Sequence, residues 1–153
     1  WLAIGQPSGE NALGITPMQL ALLAGAIGNG GVMNAPRIID YLKDPLGRSY
    51  QTLKPEPLRT VMTAEEAKAL EQLMVASVAS GTGTSARVSG YKIAGKTGTV
   101  EVDGQKNNAL FVGYVADERH PLAIAVIVEE GGSGGGTAAP LAAQLLKTAL
   151  SLD

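Results

Sequence analysis

The chain has 153 residues, of which 45% are hydrophobic, with a net charge of −2, no cysteine and one histidine. That length supports one real core and hence a single compact unit, and a charge spread without basic blocks argues against nucleic acid as a partner. Without thiols, and with His120 as the lone imidazole, the composition argues against disulfide frameworks, thiolate sites, His-based triads and His-rich metal centres, so no metal and no cofactor is expected.

No apolar run approaches the roughly 18 residues of a membrane span, and no charged-then-apolar signal segment is present. The apolar start Trp1-Leu2-Ala3-Ile4-Gly5, with no initiator Met, suggests a chain that was processed or that begins inside a domain. Gln6-Pro7-Ser8-Gly9-Glu10-Asn11 reads as a loop. A helix follows, because Thr16-Pro17-Met18-Gln19 combines an N-cap hydroxyl, a proline at the first helical position and a glutamine three residues after the cap. Leu20, Leu23, Ala24 and Ile27 keep helical spacing until Gly28-Asn29-Gly30-Gly31.

Residues 32–50 read as two strands around a turn at Asp44-Pro45-Leu46-Gly47. Pro55 and Pro57 then break the pattern, and Thr63-Ala64-Glu65-Glu66 repeats the capping box for a second helix. Its inner stripe is expected along Ala67, Leu70, Met74 and Ser77, up to Gly81 and Gly83. Residues 89–102 read as a strand, Asp103-Gly104 as a turn, and 108–116 as a second strand. The run at 122–129 is apolar on both faces, which predicts a central strand covered by helices. Gly131 to Gly136 reads as a flexible loop before a closing helix at 138–150, with Leu141, Leu145 and Ala149 on its inner side. Consecutive strands on short connections imply an α+β fold: a three-stranded antiparallel sheet flanked by helices.

Gly95-Lys96-Thr97-Gly98-Thr99 concentrates an ammonium, two hydroxyls and two glycines. On a strand edge these suit an extended ligand ending in a carboxylate, with a backbone N–H available to a developing oxyanion; the alternative is an exposed strand decorated with Lys and Thr. Alternation puts Lys96 opposite Thr97 and Thr99, so a twist or bulge is needed for all three to face one ligand.

Two spacing coincidences compete with this. Gly90 to Thr97 fits G-x-x-x-x-G-K-[ST] of a phosphate loop, yet a polar, Gly-rich segment precedes it and a strand follows, where an apolar strand and a helix are required. Ser89-Gly90-Tyr91-Lys92 fits Ser-x-x-Lys, whose chemistry requires a helix start. On a strand its Ser89 is no nucleophile, and Lys92 reads as a solvated lysine. His120 reads as a surface histidine, Glu129-Glu130 as a solvated strand end, and Glu101 with Asp103 as turn residues in preference to paired acids.

Gly95-Lys96-Thr97-Gly98-Thr99 resembles the third signature of penicillin-binding proteins, the D,D-transpeptidases that cross-link peptidoglycan. The resemblance runs in order along the chain: Ile4-Gly5-Gln6, Ile15 to Ala21, Gly28-Asn29-Gly30-Gly31, Ser80-Gly81-Thr82-Gly83-Thr84, Phe111-Val112-Gly113-Tyr114 and the Gly-rich segment into Ala138-Ala139-Pro140. It implies that residues 1–153 are the C-terminal portion of a transpeptidase domain of the monofunctional class.

By that resemblance Lys96 supplies positive potential and supports the hydrogen-bond relay of the catalytic serines. Thr97 and Thr99 hydroxyls bind the terminal carboxylate of a D-Ala-D-Ala stem peptide or of a β-lactam. The Thr99 N–H is half of the oxyanion hole, and Gly98 leaves room for the acyl group. The family's Ser-x-x-Lys at a helix start and its Ser-x-Asn are absent from this chain, so the serine nucleophile is expected in an N-terminal part of the same domain, which is also the expected physical partner. The resemblance further implies an extracytoplasmic location, with a membrane anchor outside this sequence, and truncation would favour self-association through exposed apolar surface. Two other functions use the same edge: a non-catalytic binding or sensory module, and a serine β-lactamase relative.

Overall fold

The structure, a computed structural model, describes residues 14–102 and 104–152. The loop expected at 6–11 lies outside them. The first helix, α1 (Pro17–Gly28), begins as the capping box dictates: Gln19 N donates to Thr16 Oγ1 at 3.2 Å, and Thr16 N donates to Gln19 Oε1 at 2.8 Å. Two left-handed glycines, Gly30 (φ 63°) and Gly31 (φ 93°), end it.

The segment after α1 holds four short strands where two were expected. β2 (Tyr41–Lys43) and β3 (Ser49–Thr52) form the hairpin about the predicted turn, in which Asp44 Oδ1 accepts from the backbone N–H groups of Leu46 and Arg48 at 2.9 Å each. β1 (Val32–Asn34) instead pairs antiparallel with β4 (Pro57–Thr60). Pro57, read as a breaker, is the first residue of β4 and sits beside a register shift, a position where a missing N–H costs no ladder bond.

α2 (Ala64–Ser80) starts at the second capping box, Thr63 with Glu66. Its buried line includes Ala67 and Val78, with Met74 and Val75 partly buried, whereas Leu70, expected inside, is 37% exposed. The true stripe passes through position 71, and the charge of Glu71 hid it from a reading based on apolar residues.

The main sheet has the order β5 (Ile93–Val100), β6 (Asn108–Val115), β7 (Ala123–Val128), all antiparallel. β5 is shorter than expected because Ser89 and Gly90 form a turn before it, with Gly90 at φ 85°. The turn into β6 is closed by Gln105 N donating to Val102 O at 3.1 Å, with Gly104 at φ 71°; Asp103 lies outside the described residues.

β7, expected to be central, is an edge among the described strands, and β6 is central. Its two-sided apolarity has another cause, which is helices on both faces. α1 and α2 cover the face of Ala94, Val112 and Tyr114, while α3 (Ala139–Leu150) and the 3-10 turn Thr84–Ala86 cover the face of Ile93, Phe111 and Val115.

The glycine segment before α3 is an ordered turn. Residues Gly134–Ala138 wind as one wide helical turn, Ser133 Oγ accepts from Gly136 N at 3.1 Å, and Thr137 Oγ1 donates to Gly131 O at 2.7 Å. α3 buries Ala139, Ala142, Leu146 and Leu150, while Leu141 and Leu145, expected inside, are 39% and 56% exposed. The small side chains at 139 and 142 let the helix lie close on the sheet.

Candidate active site

β5 pairs with β6 in an unbroken register from Ile93↔Val115 to Val100↔Asn108. Ala116 N donates to Lys92 O, and Val115 N donates across to Leu122 O. In an antiparallel ladder the N–H and C=O of one residue point the same way and alternate along the strand. Lys92, Ala94, Lys96 and Gly98 therefore bond to β6, whereas Ile93, Gly95, Thr97 and Thr99 aim their backbone groups at the outer edge of β5. Among the described residues no strand occupies that edge.

Of the twist or bulge needed for all three to face one ligand, no bulge is present: the register of β5 with β6 has no shift. Lys96 leaves the α1/α2 face of the sheet and Thr97 and Thr99 the α3 face, as strict alternation requires. Lys96 reaches the edge by length: its Nζ curls round the strand and donates to Thr97 O at 2.6 Å. The ammonium and the outward backbone of Thr97 and Thr99 thus meet on one edge. Lys96 and Thr99 are exposed, and Thr97 is 8% exposed.

Thr97 Oγ1 lies 2.7 Å from Thr82 Oγ1. The Gly81-Thr82-Gly83 turn is tied down by the N–H groups of Gly81 and Gly83, which both donate to Ser77 O, at 3.0 and 3.1 Å. Thr82 was visible in the Gly-Thr turn of the sequence, but residue types alone gave it no role, because its partner is fifteen positions away.

Glycines let the layers close on this strand. A Cβ on Gly95 would run into the Phe111 ring, and one on Gly134 would meet Gly98 O at 2.5 Å and Gly98 N at 2.9 Å. The Gly134 turn therefore lies directly against the backbone of Gly98. A Cβ on Gly98 would stand 3.2 Å from Leu110 Cβ, on the opposite face.

The competing motifs fail on geometry. Thr97 is in mid-strand with no helix after it, so there is no phosphate loop, and Ser89 sits in a turn rather than at a helix start. Lys92 is not simply solvated: its Nζ lies 3.5 Å from Glu71 Oε1, which Lys68 also approaches at 3.3 Å, and Tyr114 OH donates to Glu71 Oε2 at 3.3 Å. Burial pushes Glu71 up, but the Lys68 hydrogen bond and the charges of Lys92 and Lys68 outweigh it and hold the carboxyl below its ordinary value. Burial first, and then the charge and hydrogen bond of Glu71, push the Tyr114 hydroxyl well above its usual range.

His120 is partly buried rather than simply at the surface, with its ring edge-on to Tyr91 at 5.3 Å between centroids. Glu129 and Glu130 are exposed at the strand end, as expected, and Glu130 takes a positive φ of 52° while its N–H donates to Asn108 Oδ1. Among the described residues no three His, Cys, Asp or Glu side chains are grouped to hold a metal ion, and no helix is long and apolar enough to cross a membrane.

Residues 2–147 match the family model described as the penicillin binding protein transpeptidase domain. The peptidoglycan D,D-transpeptidase PbpA of Mycolicibacterium smegmatis is 32% identical over 97% of this chain, which covers 32% of that protein. The D,D-transpeptidase domain of a peptidoglycan glycosyltransferase from Eggerthella lenta superposes with a TM-score of 0.86 at 30% identity, covering 99% of this chain and 38% of that one. Penicillin-binding protein A from Mycobacterium tuberculosis, as its ceftriaxone acyl-enzyme complex, gives a TM-score of 0.81 at 28% identity, covering 93% of this chain and 34% of that one. This chain spans about a third of the length of these relatives. The family match, nearly end to end, joins the ordered motifs and the lysine-bearing free edge in one conclusion: the chain belongs to the penicillin-binding protein transpeptidase domain family.

Proposed function

We propose that these 153 residues are the C-terminal portion of the transpeptidase domain of a peptidoglycan D,D-transpeptidase. The observation that carries this is the outer edge of β5, unpaired among the described residues, where the Lys96 ammonium and the outward backbone groups of Thr97 and Thr99 converge. An extended stem peptide ending in D-Ala-D-Ala adds to such an edge as a further strand, and its terminal carboxylate then meets a cation and hydroxyl donors. A β-lactam presents the same carboxylate beside its reactive carbonyl.

Lys96 supplies positive potential and supports the serine relay. Thr97 and Thr99 hydroxyls hold the carboxylate. Thr99 N–H is one donor to the tetrahedral oxyanion, and Gly98 leaves space for the acyl group. The attacking serine, the second oxyanion donor and the Ser-x-Asn belong to an N-terminal part of the domain outside this sequence. The substrate places the reaction outside the cytoplasmic membrane, with the parent protein anchored by a segment beyond these residues.

Labelled penicillin tests this directly. The complete protein should take up one covalent label per molecule on a serine outside these 153 residues, and the isolated chain should take up none. Stoichiometric labelling of the isolated chain, or none of the complete protein, would overturn the assignment.

A further inference from the structure

We infer that Thr82 is a positioning residue for carboxylate capture: its hydroxyl donates to Thr97 and leaves the Thr97 proton free for the ligand. The inference rests on the proposed role of the β5 edge and adds a residue to it.

The two hydroxyl oxygens lie 2.7 Å apart, and either can be the donor in the free protein. A hydroxyl has one proton to give, and a carboxylate can only accept. If Thr97 gives its proton to Thr82, a lone pair of Thr97 faces the carboxylate and repels it. If Thr82 donates, Thr97 accepts from it and points its own proton at the ligand. Binding of a carboxylate therefore selects the chain Thr82 to Thr97 to ligand, and each bond in such a chain polarises the next.

For this the Thr82 hydroxyl must be held in place, and the fold holds it from two sides. Gly81 and Gly83 are tied to Ser77 O at the end of α2, and Thr82 O faces Gly135 so closely that a Cβ there would come within 2.7 Å of it. The Gly134-Gly135 turn that backs Thr82 is the one that lies on Gly98. Thr82, Thr97 and the Gly98 backbone are thus packed in one cluster, which keeps the two hydroxyl oxygens within hydrogen-bond reach while the ligand selects the direction of the bond between them.

The test uses the complete protein with Thr82→Val, which keeps the shape and removes the hydroxyl, and Thr82→Ser, which keeps the hydroxyl. Acylation rates are measured with penicillin G and with its methyl ester, in which the carboxylate is masked. Thr82→Val should slow penicillin G acylation by about 10-fold, the value of one lost hydrogen bond, and leave the ester within about 2-fold of its own unsubstituted rate. Thr82→Ser should restore the penicillin G rate. Equal loss for both substrates would make Thr82 a structural residue only, and no loss for either would remove it from the site. If Thr82→Val lowers the melting temperature substantially, Thr82→Ala with the same pair of substrates decides, since only the ratio between them carries the inference. Failure of the unsubstituted protein to be acylated at all would overturn the transpeptidase assignment itself, and with it the carboxylate role of Thr82.

Discussion

Lys96 and Thr97 leave β5 on opposite faces of the sheet, yet Lys96 Nζ donates to Thr97 O at 2.6 Å. The contact brings a cation to a strand edge that no bulge prepares. It also leaves the other protons of the ammonium available to an anion on that edge.

Replacing Lys96 by Met keeps the aliphatic stem and removes the charge. Lys96 is exposed, so the melting temperature should change little. Penicillin acylation of the complete protein should fall by about 10²-fold or more, in keeping with the loss of a preorganised electrostatic donor. Acylation at the unsubstituted rate would remove Lys96 from the site.

Much of this fold is legible in the sequence. Both capping boxes are local patterns, and Thr16 and Thr63 cap the helices they announced. The strands of the main sheet and the motif on β5 followed from alternation and turns. What failed depended on neighbours remote in sequence. The segment Gly134–Ala138 winds as an ordered turn where its composition predicts a loose connector, and the helix after it turns Ala142 and Leu146 inward in place of Leu141 and Leu145. The apolar pattern of β7 predicts a central strand because coverage by two helix layers and burial between two strands leave the same pattern. The Thr82–Thr97 contact joins a turn to a strand, and no periodicity encodes it.

The face of α3 can be checked by a paired substitution. Leu146 is 2% exposed and packs in the larger core cluster, while Leu145 is 56% exposed. Leu146→Ala should destabilise the protein by about 2–5 kcal/mol, and Leu145→Ala by less than about 1 kcal/mol. Denaturant unfolding of the two variants measures both, and the reverse order would restore the stripe expected from sequence.

Gly95 pairs with Gly113 across the ladder, and the ring of Phe111, which stands opposite Thr97, lies over Gly95 where a Cβ would stand. Gly95→Ala should therefore cost about 1–3 kcal/mol by overpacking. Because the obstruction is one side chain, Phe111→Leu should cost less in the Gly95→Ala background than alone, a coupling that a double-mutant cycle reads directly. Gly134→Ala has no such remedy, since its neighbours are backbone atoms of Gly98 and Leu110. Additive losses at Gly95 and Phe111 would mean that the ring can move aside.

Glu71 ties α2 to both β6 and the approach to β5, through Tyr114 OH and Lys92 Nζ at 3.3 and 3.5 Å. Its carboxyl is held below the ordinary value of 4.5 in the folded chain. A depressed folded value means that the carboxylate form is favoured by folding, so the stabilisation is complete above the unfolded value and is lost as pH falls through the folded one. Glu71→Gln should cost under about 1 kcal/mol at neutral pH, since the ion pairs are partly solvated, and its loss of stability below pH 4.5 should be shallower than that of the unsubstituted protein. Some acid sensitivity remains in the variant, because Asp44, Glu66 and Asp117 are also held low by their own partners. Thermal unfolding midpoints at pH 7 and through the acid range separate the contributions. Parallel curves for the two proteins would show that Glu71 takes no part in acid unfolding and that α2 is held to the sheet by its apolar contacts alone.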